Sequence, residues 1–235
     1  MTESDWFSCT DPTAMLGFLR DRGASDRKLR LFAVACCRRI WSLLPPVCRV
    51  AVENSEGYAD GLESAESRDA VARAAEALAL DLNRGGRWGD FAIYATAATV
   101  DATSAHAGTI PPAISAASTV AHAVARAAAG ESPPDKYDTE LDAVEARERV
   151  AQSHLLRDIV GNPFRAPSFE PEWRTDTVMA LAAQMYASRS FDAMPILGDA
   201  LADAGCPDGE ILEHCRRPGP HVRGCFVVDL VLNKT

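Results

Sequence analysis

The sequence predicts an all-α fold: a multi-helix, bundle-like globular domain. Three observations carry that expectation. Apolar residues recur at steps of three and four in segment after segment, the period of a helix with one buried face. The segments open on Ser, Thr or Asp and close on Gly or Pro, the usual start and stop signals of helices. Alanine, the best helix former, dominates the stretch 91–129.

The first expected helix opens at Asp11-Pro12, an N-cap residue followed by a proline at the first helical position, and closes at Gly23. Met15, Phe18 and Leu19 form its inward stripe. The second starts from the Ser25-Asp26 cap and places Leu29, Phe32, Cys36, Ile40 and Leu44 on one side, with Arg27, Arg30 and Arg38 on the other, until Pro45-Pro46 ends it. A short third helix over 46–58 turns Val47, Val50 and Ala51 inward, with Gly57 and Gly61 at its exit. A fourth, over 64–83, carries Val71, Ala74, Ala75, Leu78 and Leu82 and is punctuated by Gly85-Gly86.

The alanine-rich stretch is broken by Gly108 and Pro111-Pro112, which predicts two helices facing each other through small side chains. After a loop at 130–134, a long charged helix begins at Asp138 or Thr139, carries Leu141, Val144, Ala151, Leu155 and Ile159, and is capped by Gly161. The run Asn162-Pro163-Phe164-Arg165-Ala166-Pro167 is not regular helix, because each proline pushes its predecessor toward extended geometry. This irregular, proline-rich loop near 162–173 is expected to pack rather than flex, since Phe164, Phe169 and Trp173 are costly to leave in water. Helices resume over 175–188, 195–204 and 207–216. The tail 221–232 fits a buried helix or a strand equally by period, and Pro220 with its helical neighbourhood favours helix.

A chain of 235 residues is long enough to bury a core without staples. It is read as a single domain over 1–235, with N-terminal helices in 1–61, alanine-rich helices in 62–131 and C-terminal helices in 132–235. Apolar residues at 47% and charged residues at 24% are the proportions of an ordinary globular protein. A net charge of −9 argues against gripping phosphate backbones as the main task. Even so, Arg20, Arg22, Arg27, Lys28, Arg30, Arg38, Arg39 and Arg49 outnumber the acids of the first fifty residues, so a basic N-terminal helix face is one candidate surface for nucleic acid. The start Met1-Thr2-Glu3-Ser4-Asp5 lacks the pattern of a secretory signal, and no run reaches eighteen apolar residues. A cytoplasmic protein with no membrane partner is expected. Seven cysteines, an odd number in a chain of this size, make reduced thiols the default.

Several blocks carry a resemblance. Lys28 to Trp41 reads KLRLFAVACCRRIW, Leu155 to Arg165 reads LLRDIVGNPFR, and Pro195 to Cys206, His214-Cys215-Arg216 and His221 to Leu230 close the chain. These look like an uncharacterised family of Gemmata-type planctomycete proteins, over the first sixty residues and the last eighty, which implies a bacterial origin. The family has no assigned activity, so the resemblance implies no catalytic residue. Position 226 is Phe where the family pattern has Trp, which keeps the apolar bulk and drops the indole donor.

The densest set of reactive side chains is Cys206, His214, Cys215, His221 and Cys225. Thiolate and imidazole are preferred zinc ligands, so four of these converging would make a tetrahedral site. Adjacent His214 and Cys215 diverge by roughly 100° on a helix, which counts against using both. A thiol nucleophile, Cys215 or Cys225 activated by His214 or His221, is the enzymatic version of the same cluster. Cys36 and Cys37 read as a core thiol beside a surface thiol. Acidic pairs such as Asp199 with Asp203 and Glu145 with Glu148 read as solvated helix faces. Arg216, Arg217 and Arg223 surround a proline-rich turn, and their guanidinium forks suit either acids and carbonyls of the same chain or an external acidic partner. No phosphate loop or hydrolase elbow appears. The reading preferred from sequence is a non-catalytic interaction or adaptor protein with a protein partner and no cofactor. Metal binding or thiol chemistry at the C-terminal cluster, with zinc as the cofactor, is the alternative. Nucleic-acid association comes third.

Overall fold

The computed structural model describes residues 1–84, 91–104, 106, 108–129, 139–165 and 167–234. Among these residues there are twelve α-helices and no strand, so the chain is all-α as expected. The helices are α1 (Glu3–Ser8), α2 (Pro12–Leu19), α3 (Asp26–Arg39), α4 (Pro46–Ala59), α5 (Ala65–Arg84), α6 (Phe91–Thr103), α7 (Ile110–Ala129), α8 (Thr139–Val160), α9 (Asp176–Ser188), α10 (Met194–Asp203), α11 (Gly209–Arg216) and α12 (Phe226–Leu232). The glycine pair at 85–86, the loop at 130–134, Asp138 and Ala166 lie outside the described residues. Read as one domain from sequence, the chain divides into two compact units, Met1–Ser153 and His154–Thr235, the division falling within α8.

In the first unit, local chemistry starts α2 and α3 where the sequence signals it. Asp11 accepts from the Thr13 amide and Ser25 from the Lys28 amide, each satisfying a backbone donor that the helix itself leaves unpaired. Helix α1 is an addition to the sequence reading. Thr2 and Asp5 form a reciprocal capping box, and the helix sinks Trp6 completely into the core.

Helix α3 is the centre of this unit, with α4, α6 and α7 packed around it. That position corrects three expectations. Cys36 and Cys37 are both fully buried, and neither is a surface thiol. Arg30, assigned to the outer face, is buried, donating to Ser55 Oγ and the Ser104 carbonyl. The helix also ends at Arg39; Ile40 and Leu44 reach the core from a 3-10 turn, Trp41–Leu43. In α4 the buried stripe is Cys48, Ala51, Val52 and Ser55, and Val50 is exposed instead. In α5 Arg68, Ala72 and Ala75 are buried, while Ala74 faces solvent. Helices α6 and α7 pack along one another, and Ala95, Ala98, Ala102, Ala113, Ala117 and Ala121 on them are buried.

The second unit is built on the apolar cluster of Val178, Ala182, Met185, Leu197, Leu201, Ile211, Val227, Val228 and Val231, among others, contributed by α9 to α12. Fully burying each large aliphatic side chain contributes about 1.5–3 kcal/mol. In the irregular stretch after α8, Trp173 is buried and meets Phe169 edge-on at 5.3 Å, while Phe164 is half-buried. The tail resolves into a helix, α12, over the second half of 221–232.

Candidate metal centre

Four stretches of the second unit bring one side chain each to a common point. Asp158 sits in the last turn of α8, which Gly161 closes in the left-handed region at φ 71° with its amide on the Arg157 carbonyl. His214 lies on α11, whose N-cap Asp208 accepts from the Glu210 and Ile211 amides. Ile211 and Cys215, four residues apart, anchor that helix in the core, and His214 is carried on its flank. His221 belongs to the non-helical segment between α11 and α12. Cys225 is the N-cap position of α12, reached through Gly224 at φ 93°.

The geometry is tight. His221 Nδ1 lies 2.7 Å from Asp158 Oδ1, and His214 Nε2 lies 3.1 Å from the same oxygen and 3.2 Å from Cys225 Sγ. One ligand-type atom from each of the four residues falls within 4.8 Å of all the others. The carboxylate is held from behind, because its Oδ2 accepts from the Val222 amide at 3.0 Å, leaving Oδ1 for the imidazoles. The cluster is closed to solvent: the side chains of Asp158, His214 and His221 are 3%, 17% and 9% exposed, and Cys225 is fully buried. His221 Nε2 is buried with no hydrogen-bond partner among the described residues.

Electrostatics follow from this enclosure. Burial by itself would raise the Asp158 carboxyl, but the hydrogen bonds and charges of His214 and His221 outweigh it and hold the group below its ordinary value. Burial pushes the Cys225 thiol far up, the Asp158 charge adds to that, and the Val228 and Val227 amides pull the other way. A neutral thiol is therefore the resting form without a nearby cation.

Two chemistries compete for such a set, and the ring nitrogens separate them. A Cys–His–Asp relay uses both nitrogens of one imidazole, the thiol on one and the carboxylate on the other. Here Cys225 and Asp158 both address Nε2 of His214. Donors that converge on one point rather than forming a chain suit a cation. The types present, one sulfur, two imidazole nitrogens and one carboxylate oxygen, all belong to zinc's repertoire. Zinc bonds of 2.0–2.3 Å place tetrahedral donors ~3.3–3.8 Å apart, a spacing that falls between the 2.7–3.2 Å contacts here and the 4.8 Å within which all four donors lie.

Of the five residues expected from sequence, the structure assembles three, His214, His221 and Cys225, and adds Asp158. Cys206 and Cys215 belong to the apolar core instead. Cys215 packs its Cβ against α10 at Gly198, and burial pushes its thiol up to about 12. The arginine turn is engaged within its own unit. Arg223 donates to the Tyr186 and Ala187 carbonyls at the end of α9 and stacks on the Tyr186 ring. Arg216 meets Asp199 at 3.1 Å and Arg217 meets Glu213 at 3.2 Å, both at the surface, where such pairs contribute little. In the first unit three arginines of the basic N-terminal face are likewise paired: Arg27 with Asp60, Arg38 with Glu56 and Arg39 with Glu148, the last two through both guanidinium and carboxylate ends.

Fold and cluster together define a class, an all-helical chain with a closed candidate metal centre in its C-terminal unit. No known family model, curated protein or solved structure matches the chain. No helix among the described residues is long and apolar enough to cross a membrane.

Proposed function

We propose that this chain is a metal-binding, non-catalytic protein whose C-terminal unit is tied together by one zinc ion on Asp158, His214, His221 and Cys225. One observation carries the reading: four donors from four separate stretches converge within 4.8 Å in a closed pocket of side chains. Four protein donors leave no open position for substrate, which is the arrangement of structural rather than catalytic zinc. In this role the ion joins the end of α8 to α11 and α12, and leaves the helical exterior to contact a protein partner.

Elemental analysis of protein purified without added chelator tests the reading. One zinc per chain is expected. The Cys225→Ser and His214→Ala variants lose it, and Cys206→Ser and Cys215→Ser keep it. Metal-free protein whose melting temperature ignores both zinc and a strong chelator would overturn the assignment, because a structural ion contributes its binding free energy to folding.

A further inference from the structure

Metal-binding histidines are normally aimed by a second hydrogen bond, the ring nitrogen opposite the metal donating to a carboxylate or carbonyl. His214 departs from that pattern. Among the described residues every hydrogen bond of its ring is made at Nε2, the atom that faces Asp158 and Cys225. It is also the most exposed of the four side chains, so neither a hydrogen bond on the far side of the ring nor complete enclosure adds to the contacts at Nε2 in fixing its orientation.

What does hold the ring is aromatic packing. The Phe226 ring lies 4.4 Å from the His214 ring, centre to centre, at 61°, and the His221 ring meets it at 4.9 Å and 71°. Edge-to-face contacts of this kind have a preferred geometry and resist rotation. Phe226 is itself seated on a glycine. A Cβ built on Gly161 would lie 3.0–3.2 Å from Cγ, Cδ1 and Cδ2 of the Phe226 ring, closer than ordinary packing permits. Gly161 is three residues beyond Asp158 and Phe226 is one beyond Cys225, so both parts of the seat are attached to ligands.

We infer that Phe226, seated on Gly161, is a positioning residue that aims His214 Nε2 at the metal, taking the part a hydrogen-bond acceptor plays at other histidine ligands. The inference rests on the metal reading above. It assigns two residues that offer no donor atom of their own. The ring, rather than apolar bulk at position 226, is the feature that matters.

Cobalt(II) and zinc titrations of the full chain test this with Phe226→Met, which keeps apolar volume without a ring, and Phe226→Tyr, which keeps the ring. F226M is expected to weaken zinc binding by about tenfold or more, the loss typical of outer-shell partners, and to shift the visible ligand-field bands of the cobalt form. F226Y is expected to bind within a few-fold of the parent with an unshifted spectrum. Should F226M fail to fold, Gly161→Ala replaces it: its added Cβ displaces the ring and is expected to shift the same bands. Parent-like affinity and spectrum in F226M, or in a folded G161A standing in for it, overturns the inference, as does F226Y behaving like F226M. A parent chain that binds neither metal overturns the metal reading itself, a distinct result.

Discussion

Replacing Asp158 by Asn keeps the shape of the side chain and removes the charge on which both imidazoles converge. Neither orientation of the amide reproduces the carboxylate's contacts without a change in its neighbours. With its oxygen toward His221 and His214, its N–H2 group faces the Val222 amide, donor against donor. Flipped, its oxygen keeps the Val222 amide, but its N–H2 group faces His221 Nδ1 and His214 Nε2, which now sit 2.7 and 3.1 Å from the carboxylate, so both imidazoles must change from donor to acceptor at those nitrogens. The side chain is 3% exposed, so water does not rescue either arrangement. Leaving a buried donor or acceptor without its partner costs about 1–3 kcal/mol. In a domain of 60–100 residues each kcal/mol moves the melting temperature by about 4–8 °C, so a fall of roughly 4–24 °C is expected for the second unit. Against a typical total stability of about 5–15 kcal/mol, that is a substantial fraction. Thermal unfolding followed by circular dichroism, together with hydrogen exchange resolved along 154–235, measures it. A D158N protein that melts within a few degrees of the parent and keeps parent-like exchange in that unit would refute the reasoning, because Asp158 would then not organise the cluster.

Three further outcomes follow from particular contacts. Gly17 and Gly198 are both helical, but a Cβ at Gly17 meets nothing within 4 Å while one at Gly198 meets Cys215 Cβ at 2.8 Å. Gly17→Ala should therefore stabilise by about 0.4–1 kcal/mol, and Gly198→Ala should destabilise despite the same helix gain, since overpacking costs about 1–3 kcal/mol; chemical denaturation of both variants checks the opposite signs. Burial raises the Asp101 carboxyl, with the Ser115 hydrogen bond offsetting only part. The folded state thus holds this proton to higher pH than the unfolded chain, and its contribution to stability declines as pH rises from the ordinary carboxylate value through the raised one. Asp101→Asn should melt higher than the parent at neutral pH and lose that advantage in acid; parallel pH profiles would count against it. Among the seven thiols only Cys9 is not buried, so native protein at neutral pH should react quickly at Cys9 and at the other six only on unfolding. A second fast thiol, mapped by mass spectrometry, would reopen the nucleophile reading.

The parts of this structure legible from sequence are those set by neighbours in the chain. Asp11, Ser25 and Thr175 cap helices because a short oxygen-bearing side chain beside the first turn satisfies amides that nothing else reaches. Trp6 was overlooked, although Thr2 and Asp5 at capping-box spacing announce its helix. The parts not legible depend on what surrounds an element. A helix packed by three others meets solvent only near its ends, so the periodicity that put Arg30 and Cys37 outside α3 could not anticipate their burial. The metal centre divides in the same way. His214, His221 and Cys225 stand out by type and proximity, whereas Asp158 is one acidic residue among 33 Asp and Glu, 63 positions before His221. Only the fold distinguishes it, by presenting Oδ1 to two imidazoles at once. Cys206 and Cys215 were misleading because a small apolar thiol and a metal ligand look alike in sequence.

The paired arginines of α3 bear on how this sequence can drift. Each stands opposite an acid supplied by another helix or its C-cap, and the acids are the more deeply enclosed partners: Asp60, Glu56 and Glu148 are 1%, 2% and 4% exposed. Loss of Arg39 alone would leave the 4%-exposed carboxylate 109 residues away with Gln152 Nε2 as its remaining side-chain donor. Such positions change together or not at all, and a single substitution at either is a step selection removes. Relatives of this chain should therefore carry both members of Arg38–Glu56 and Arg39–Glu148, or an apolar pair at both places. The double-arginine run is inherited as half of a lock whose other half lies in α4 and α8.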